Sequence, residues 1–503
     1  MEERYLATVD FGSHKLALAV AKVGGGYNQV LYFKEFPSVG VRHGIVWNPL
    51  KASDLLKKAI ADAENELGIK ITQVVVGYPR IGLRQEIATG NNERTDDSTC
   101  ISQEEVDFVK SKALNSYPLN EGKNEVIYSA VPQSFATEDA MGLREEDVVG
   151  MTGSFIDGNF KVFVGNKKRL DNIDNTLNKA EVGLARRYFL PEAVADVVLS
   201  SEEKENGVAL LELGGNVSSV TIYEGGILRY YFAIPYGGGN VTFDIKRECG
   251  FNDTLAENIK LGYGVCMPDK LQSLTDKILR ISNDNGASYQ DVPVKYLSEI
   301  ITCRMKEIID ALLFKIQESN YADRLTSGVV LTGGCANLGN CSGLVKSMSG
   351  YNVRVGYPRL KEIAPNDFAA ILDPGSAATV GMLYKAFHDV INCTKEYFTQ
   401  TAGPVQETVA AQPARPSTTG PIEDELHTVK EETEESSEPQ GTQPGQPVAA
   451  EPDSLAGSVF DPEAGKVEKP AEKPEKQTWL GKFTTRWTKT FADATGQLFG
   501  EMN

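Results

Sequence analysis

Asp10, Gly12, Ser13, His14 and Lys15 sit together between two apolar runs, in YLATVDFGSHKLALAV at residues 5–20. These residue types in this order describe a turn that can meet a phosphate. A glycine lets the backbone approach a ligand closely, and successive N–H groups of a tight turn form a concavity for an anion. Lys15 can neutralise phosphate charge, and Asp10 can hold a hydrated cation such as Mg2+ through water. Alone, such a turn is also what any β-hairpin needs. About two hundred residues later VALLELGGNVSSVTIYEGG, residues 208–226, repeats the layout: an apolar strand, the acid Glu212, then Gly214, Gly215 and Asn216, then a second apolar strand. One turn repeated in two halves predicts a duplicated fold with a nucleotide clamped between the halves. Glu212 is then the candidate for positioning a water or a cation.

Three further stretches belong to the same chemistry. Gly238 lies in the run Gly237-Gly238-Gly239, which follows a strand and precedes a helix. A helix N-terminus beside free backbone N–H groups is a natural anion site, although the run also serves as a plain strand-to-helix turn. Glu257 and Lys260, in TLAENIKLGYG, are three residues apart and share a helical face. On the surface they form an ordinary ion pair. Bordering a cleft, the carboxylate takes ribose hydroxyls and the ammonium packs near a base. GVVLTGGCANLGN, residues 328–340, reads as a buried strand, the pair Gly333 and Gly334 on which a purine can lie flat, and a turn containing Asn337.

The elements that must position these groups alternate strand and helix. Residues 5–9 and 15–20 read as paired strands. Asn48-Pro49 opens a helix whose apolar face carries Leu55, Leu56, Ala59, Ile60, Ala63 and Leu67, and Gly68 closes it. ITQVVVGYP, residues 71–79, is a β-branched strand, so the architecture is α/β. Residues 81–166 read as an inserted α+β subdomain: a helix from Ser102 with Glu105 completing a capping box, then the strands EVIYSAVPQSFA and GNFKVFVG. Residues 168–189 are expected as one helix, with Ile173, Leu177, Ala180 and Leu184 on a face. After Pro191, VADVVLS is expected as a strand, and residues 202–206 as a polar connection. Residues 294–319 form a long helix. DPGSAATVGMLYKA, residues 373–386, forms a small-residue helix whose Ala377, Ala378 and Gly381 suit close packing at a hinge.

With 503 residues the chain exceeds one domain. Its net charge of −18 argues against general nucleic-acid binding, whose affinity comes from phosphate neutralisation. Seven scattered cysteines without a CxxC pair read as free thiols of a reducing compartment, and four dispersed histidines argue against a zinc site. Glu2, Glu3 and Arg4 precede a strand rather than a long apolar region, so no secretory leader is expected, and no apolar run reaches the roughly 20 residues that cross a bilayer.

Residues 399–477 change character. Pro, Gln, Thr and Glu dominate and aromatics are nearly absent, so the segment reads as a disordered acidic linker. As a flexible coil it spans roughly 50 Å. Residues 478–503 then read as an amphipathic helix. Trp479, Leu480, Phe483, Trp487, Phe491 and Leu498 share one face, with Lys482, Arg486 and Lys489 opposite. Aromatics against basic residues at low net hydrophobicity describe a helix that lies in the interface of an anionic membrane. Docking on a protein surface is the other reading.

Together these motifs resemble the actin-like ATPase superfamily, a duplicated ribonuclease-H-like fold of two lobes. Within it the chain is similar to the FtsA family of bacterial cell-division proteins, through RYYFAIPYGGGNVTFDI, AENIK, GVVLTGG, the inserted subdomain and the terminal helix. The resemblance implies a first lobe core at residues 1–80, 167–201 and 363–398, and a second at 202–239 and 325–362. It implies an outer subdomain at 240–324. It also implies ATP with Mg2+ between the lobes, actin-like protofilaments, and peripheral attachment to the cytoplasmic face of the inner membrane at midcell. The expected partners are the C-terminal peptide of the tubulin-like FtsZ on residues 240–324, other copies of the chain, later division proteins and anionic lipids. The second turn departs from the family pattern, with Glu212-Leu213-Gly214-Gly215-Asn216-Val217 where Asp and a threonine-bearing glycine loop are usual. Phosphoryl transfer depends on positioning, and a misplacement near 1 Å costs about 10²-fold, so binding with weak hydrolysis at most is expected. The alternatives are an actin-fold adaptor of pilus or secretion machinery and a small-molecule kinase. No residue presents itself as the kinase's catalytic base.

Overall fold

The hairpin at residues 5–20 seeds a five-stranded sheet. In a computed structural model, which describes residues 3–24, 28–267, 277–282, 289–359 and 368–394, Arg4–Phe11 pairs antiparallel with Lys15–Val23, placing Asp10 opposite Ala17. Gln29–Pro37 continues the meander. On the other side of Arg4–Phe11 lie Gln73–Gly77 and then Gly183–Tyr188, both parallel. The second sheet repeats this order. Val208–Leu213 pairs antiparallel with Ser218–Glu224, placing Glu212 opposite Ser219, and Ile227–Ile234 follows. Val329–Thr332 and Val353–Val355 add on the other side, again parallel. The duplication seen in the two turns therefore extends to both sheets. Leu6, Val9, Leu18, Leu210 and Leu211 are fully or almost fully buried, as expected for central strands covered on both faces.

Helices close the layers. Pro49–Leu67 starts at an Asn48 side-chain cap, ends at left-handed Gly68, and buries Leu56, Ala59, Ile60 and Ala63. Ala377–Phe387 packs on Leu190–Val198 so closely that a Cβ on Gly381 would lie 2.3 Å from the Ala193 carbonyl oxygen. The segment between Gln73–Gly77 and Gly183–Tyr188 builds a separate sheet from Arg84–Glu93, Phe155–Asn166, Glu125–Ala136 and Met141–Leu143. The Ser102–Glu105 capping box is formed there, and Phe135, Ile156 and Phe160 belong to that segment's own core.

Three expectations are corrected. The helix expected over residues 168–189 stops at Lys179, and Gly183–Tyr188 is a strand instead. Glu181, with φ of 61°, reverses the chain, and the exposed edge of Gln73–Gly77 recruits the next residues. The strand expected after Pro191 is the helix Leu190–Val198, with proline in its first turn. Seven of its residues are buried, and the two polar ones, Glu192 and Asp196, are four apart, a spacing that fits a strand's period as well as a helix's. The connection at 202–206 is a short helix, Ser201–Asn206, opened by a Ser200–Glu203 capping box.

The chain divides into the units Met1–Phe398 and Thr399–Asn503. The expected linker at 399–477 and the interfacial helix with Trp479, Leu480, Lys482, Phe483, Arg486, Trp487, Lys489, Phe491 and Leu498 lie outside the described residues. Among the described residues no helix is long and apolar enough to cross a membrane.

Candidate functional site

The two hairpin turns close in the same way. A Cβ on Gly12 would lie 2.5 Å from the Lys15 carbonyl oxygen, and one on Gly214 would lie 2.5 Å from that of Val217. Only glycine fits either position. Asp10 and Glu212, each two residues earlier, therefore occupy matching places at the ends of the two central strands. Val217 matches Lys15, so only the first turn carries a lysine.

Both turns face a cavity of about 690 Å³, a volume usual for small-molecule sites. Asp10, Gly12, Ser13, His14 and Lys15 line it from the first lobe. Glu212, Gly214, Gly215, Asn216, Gly238, Glu257, Lys260, Gly333, Gly334 and Asn337 line it from the second. Gly333, at φ of 86°, holds a conformation natural to glycine, and a Cβ there would lie 2.5 Å from the Leu213 carbonyl oxygen. A Cβ on Gly334 would meet nothing within 4 Å, so that wall is open to a flat group.

The polar groups are already organised. Lys260 is buried and donates to Glu257 Oε2 at 2.7 Å, Thr242 Oγ1 at 2.9 Å and the Gly238 carbonyl at 3.2 Å. Burial pushes the Glu257 carboxyl pKa up, but hydrogen bonds from Lys260 and Thr242 outweigh it and hold it below the ordinary value. His14 Nε2 comes within 3.5 Å of Glu257 Oε1, and His43 Nδ1 lies 3.0 Å from the Asn216 carbonyl oxygen, so the lobes touch across the cleft. Asn337 donates to Asp373 at 2.8 Å. Lys15 pairs with Glu35, and Ser13 Oγ accepts the Gly44 N–H at 2.7 Å. The Gly238 and Gly239 N–H groups donate to the Gly214 and Gly215 carbonyls at 2.9 and 2.6 Å. That helix start welds the second turn to its neighbour rather than offering those two N–H groups to an anion.

Sequence reasoning misses three contributors. Thr242 bridges Glu257 and Lys260. Cys335 forms part of the wall, with its thiol pushed up to about 11 by burial. Arg80 matters most: its Nη1 pairs with Glu212 and its Nη2 lies 3.5 Å from Asp10 Oδ1. Burial would lower the guanidinium pKa, but Glu212 and Asp10 raise it beyond its ordinary value. Burial raises the Glu212 pKa, and Arg80 offsets only part of that. The two carboxylates expected to hold a hydrated cation thus hold a guanidinium, and as arranged they do not fit Mg2+.

Two duplicated lobes around a cleft lined from both halves define an actin-like protein. Its fold matches a chain of the "PilM-PilN type IV pilus biogenesis complex" with a TM-score of 0.53 at 15% identity, over 76% of this chain and 99% of that one. At the level of sequence the similarity is to FtsA. The family model described as "Cell division protein FtsA" matches residues 209–381. Cell division protein FtsA of Neisseria meningitidis is 26% identical over 393 residues, 76% of this chain and 91% of that protein. The Streptococcus pneumoniae protein is 28% identical over 74% of this chain and 79% of its own length. That of Borreliella burgdorferi is 26% identical over 79% of this chain and 94% of its own length. The resemblance read from the motifs is borne out, and it supports a role in bacterial cell division.

Proposed function

We propose that the chain is a nucleotide-binding scaffold of bacterial cell division that polymerises on the cytoplasmic membrane and tethers the tubulin-like FtsZ to it. The observation carrying this reading is the matched pair of glycine turns closing on one cavity, in a chain similar to FtsA over about three quarters of its length. The residues fit ATP. Gly12, Gly214 and Gly215 let backbone approach the phosphates, Gly334 leaves room for the base, and Glu257 faces the cavity where it can accept ribose hydroxyls. Bound ATP would supply the ligand that holds the lobes together for assembly. Lys260 fixes the Glu257 carboxylate in its charged form, and Lys15, tethered to Glu35, keeps positive charge beside the first turn. Weak hydrolysis at most is expected, because Glu212 is engaged by Arg80 and not free to position a water.

Residues 478–503 are the proposed membrane anchor, and residues 240–324 the surface for the C-terminal peptide of FtsZ. The sequence relatives are division proteins, whereas the pilus protein shares only the fold, which favours the division reading over a pilus adaptor. The test is co-sedimentation with anionic vesicles of the full chain and of a chain ending at residue 398, with and without ATP. Binding by the full chain alone, strengthened by ATP, is expected, because weak anchors on a polymer add through avidity. Equal binding by both forms, or by neither, overturns the anchor.

A further inference from the structure

We infer that the Arg80 guanidinium is the resident cation at the phosphate end of the cleft, so that the chain binds a nucleoside triphosphate without a divalent metal ion. The inference rests on the nucleotide reading proposed above. Its basis is the symmetry of the site. The duplicated turns bring two carboxylates, Asp10 and Glu212, to one end of the cavity, and Arg80 lies between them, pairing with Glu212 and reaching Asp10 at 3.5 Å. Two facing acids beside a polyphosphate would repel it unless a cation stood between. A guanidinium meets that need permanently, since it stays charged at any physiological pH and offers five N–H donors in a fixed plane. Each contact to a carboxylate takes one donor, and others remain for phosphate oxygens.

The arginine is held in place. Its side chain is only 16% exposed. The Tyr231 hydroxyl, from the second lobe, donates to the Arg80 carbonyl at 2.8 Å. Buried Arg169 donates to the next carbonyl, that of Ile81. Gly82 follows with φ of 68°, and a Cβ there would lie 2.7 Å from Arg169 Nη1. The backbone is therefore pinned at Arg80 and at the residue after it, unlike that of a surface arginine free to swing away. A Mg2+ ion needs a near-octahedral shell of oxygens at about 2.0–2.1 Å, most of them waters. Placing that shell between Asp10 and Glu212 would set a dication against a fixed monocation.

The test is a titration of the full chain with a fluorescent N-methylanthraniloyl ATP, in excess MgCl2 and in excess EDTA. The wild-type Kd is expected to differ by less than about threefold between the two conditions. In Arg80→Gln the uncompensated acids should weaken binding in EDTA by more than about tenfold, with Mg2+ restoring most of it. Arg80→Lys, which keeps the charge, should stay closer to wild type. A wild-type affinity that collapses in EDTA and returns with Mg2+ overturns the inference, and this arm needs no variant to fold. An R80Q protein as insensitive to metal as wild type overturns it too. No binding by wild type in either condition overturns the nucleotide reading itself, and the inference with it.

Discussion

Replacing Lys260 with methionine removes a buried cation and leaves its partners behind. Lys260 is 7% exposed, and its ammonium serves Glu257 at 2.7 Å, Thr242 at 2.9 Å and the Gly238 carbonyl at 3.2 Å. Methionine fills similar space but donates nothing. Removing one partner of a buried pair costs about 3–5 kcal/mol. The Glu257 side chain retains 16% exposure and still accepts from Thr242, so the lower end, about 3 kcal/mol, applies. Glu257→Gln alone leaves Lys260 its other acceptors and should cost about 1–2 kcal/mol. The double variant carries neither charge, so its cost should fall short of the sum by about 1–3 kcal/mol. Urea unfolding followed by circular dichroism on the four proteins measures this coupling. It is read on the first transition, because a chain this large need not unfold in one step.

The pH dependence adds a second check. Burial works against ionised Glu257, the hydrogen bonds to Lys260 and Thr242 prevail, and the folded pKa lies below the ordinary 4.5. A depressed carboxyl contributes stability that is fully present above its unfolded pKa and lost as the pH falls through the folded one. The coupling should hold constant through neutral pH and shrink only below 4.5. Additive costs at neutral pH, within about 0.5 kcal/mol, or a coupling already fading well above 4.5, would refute the reasoning.

Gly333→Ala and Gly334→Ala should part company. The first forces a Cβ at φ of 86° to within 2.5 Å of the Leu213 carbonyl oxygen and should lower stability by about 1–3 kcal/mol. The second places its methyl in open space and should leave stability within about 0.5 kcal/mol while weakening nucleotide affinity, as thermal unfolding and titration would show. Among the cysteines, exposed Cys100 and Cys303 should react with a maleimide at neutral pH well before buried Cys335, whose thiol pKa is pushed up to about 11. Peptide mapping would decide it, and comparable labelling of Cys335 would mean that the wall opens.

Much of the fold was legible because its signals are local. The Asn48 and Gly68 caps, the Ser102–Glu105 box and the paired apolar runs around Gly12 and Gly214 each specify their element within a few residues. The failures occur where a distant partner decides. The residues of Gly183–Tyr188 fit the end of a helix by periodicity, yet the free edge of Gln73–Gly77 claims them as a parallel strand. Leu190–Val198 offers only Glu192 and Asp196 as polar positions, and their spacing of four suits either period, so the proline is left to hint at a helix start.

The site divides along the same line. Each residue proposed for the nucleotide lines the cavity, because glycine turns announce close backbone approach through sequence alone. Arg80 gives no such signal: it is one of 51 lysines and arginines, and it meets Glu212 across 132 positions of chain. Charge accounting of the repeat was the available clue. The two turns supply two matched acids, Val217 replaces the second lysine, and Lys15 is drawn to Glu35. A cation was therefore owed at the place where the acids meet. Sequence reasoning assigns that cation to a metal, since a metal needs no residue of its own. The fold instead brings an arginine from the loop after Gln73–Gly77. A duplicated turn thus predicts the demand for positive charge more reliably than it predicts what supplies it.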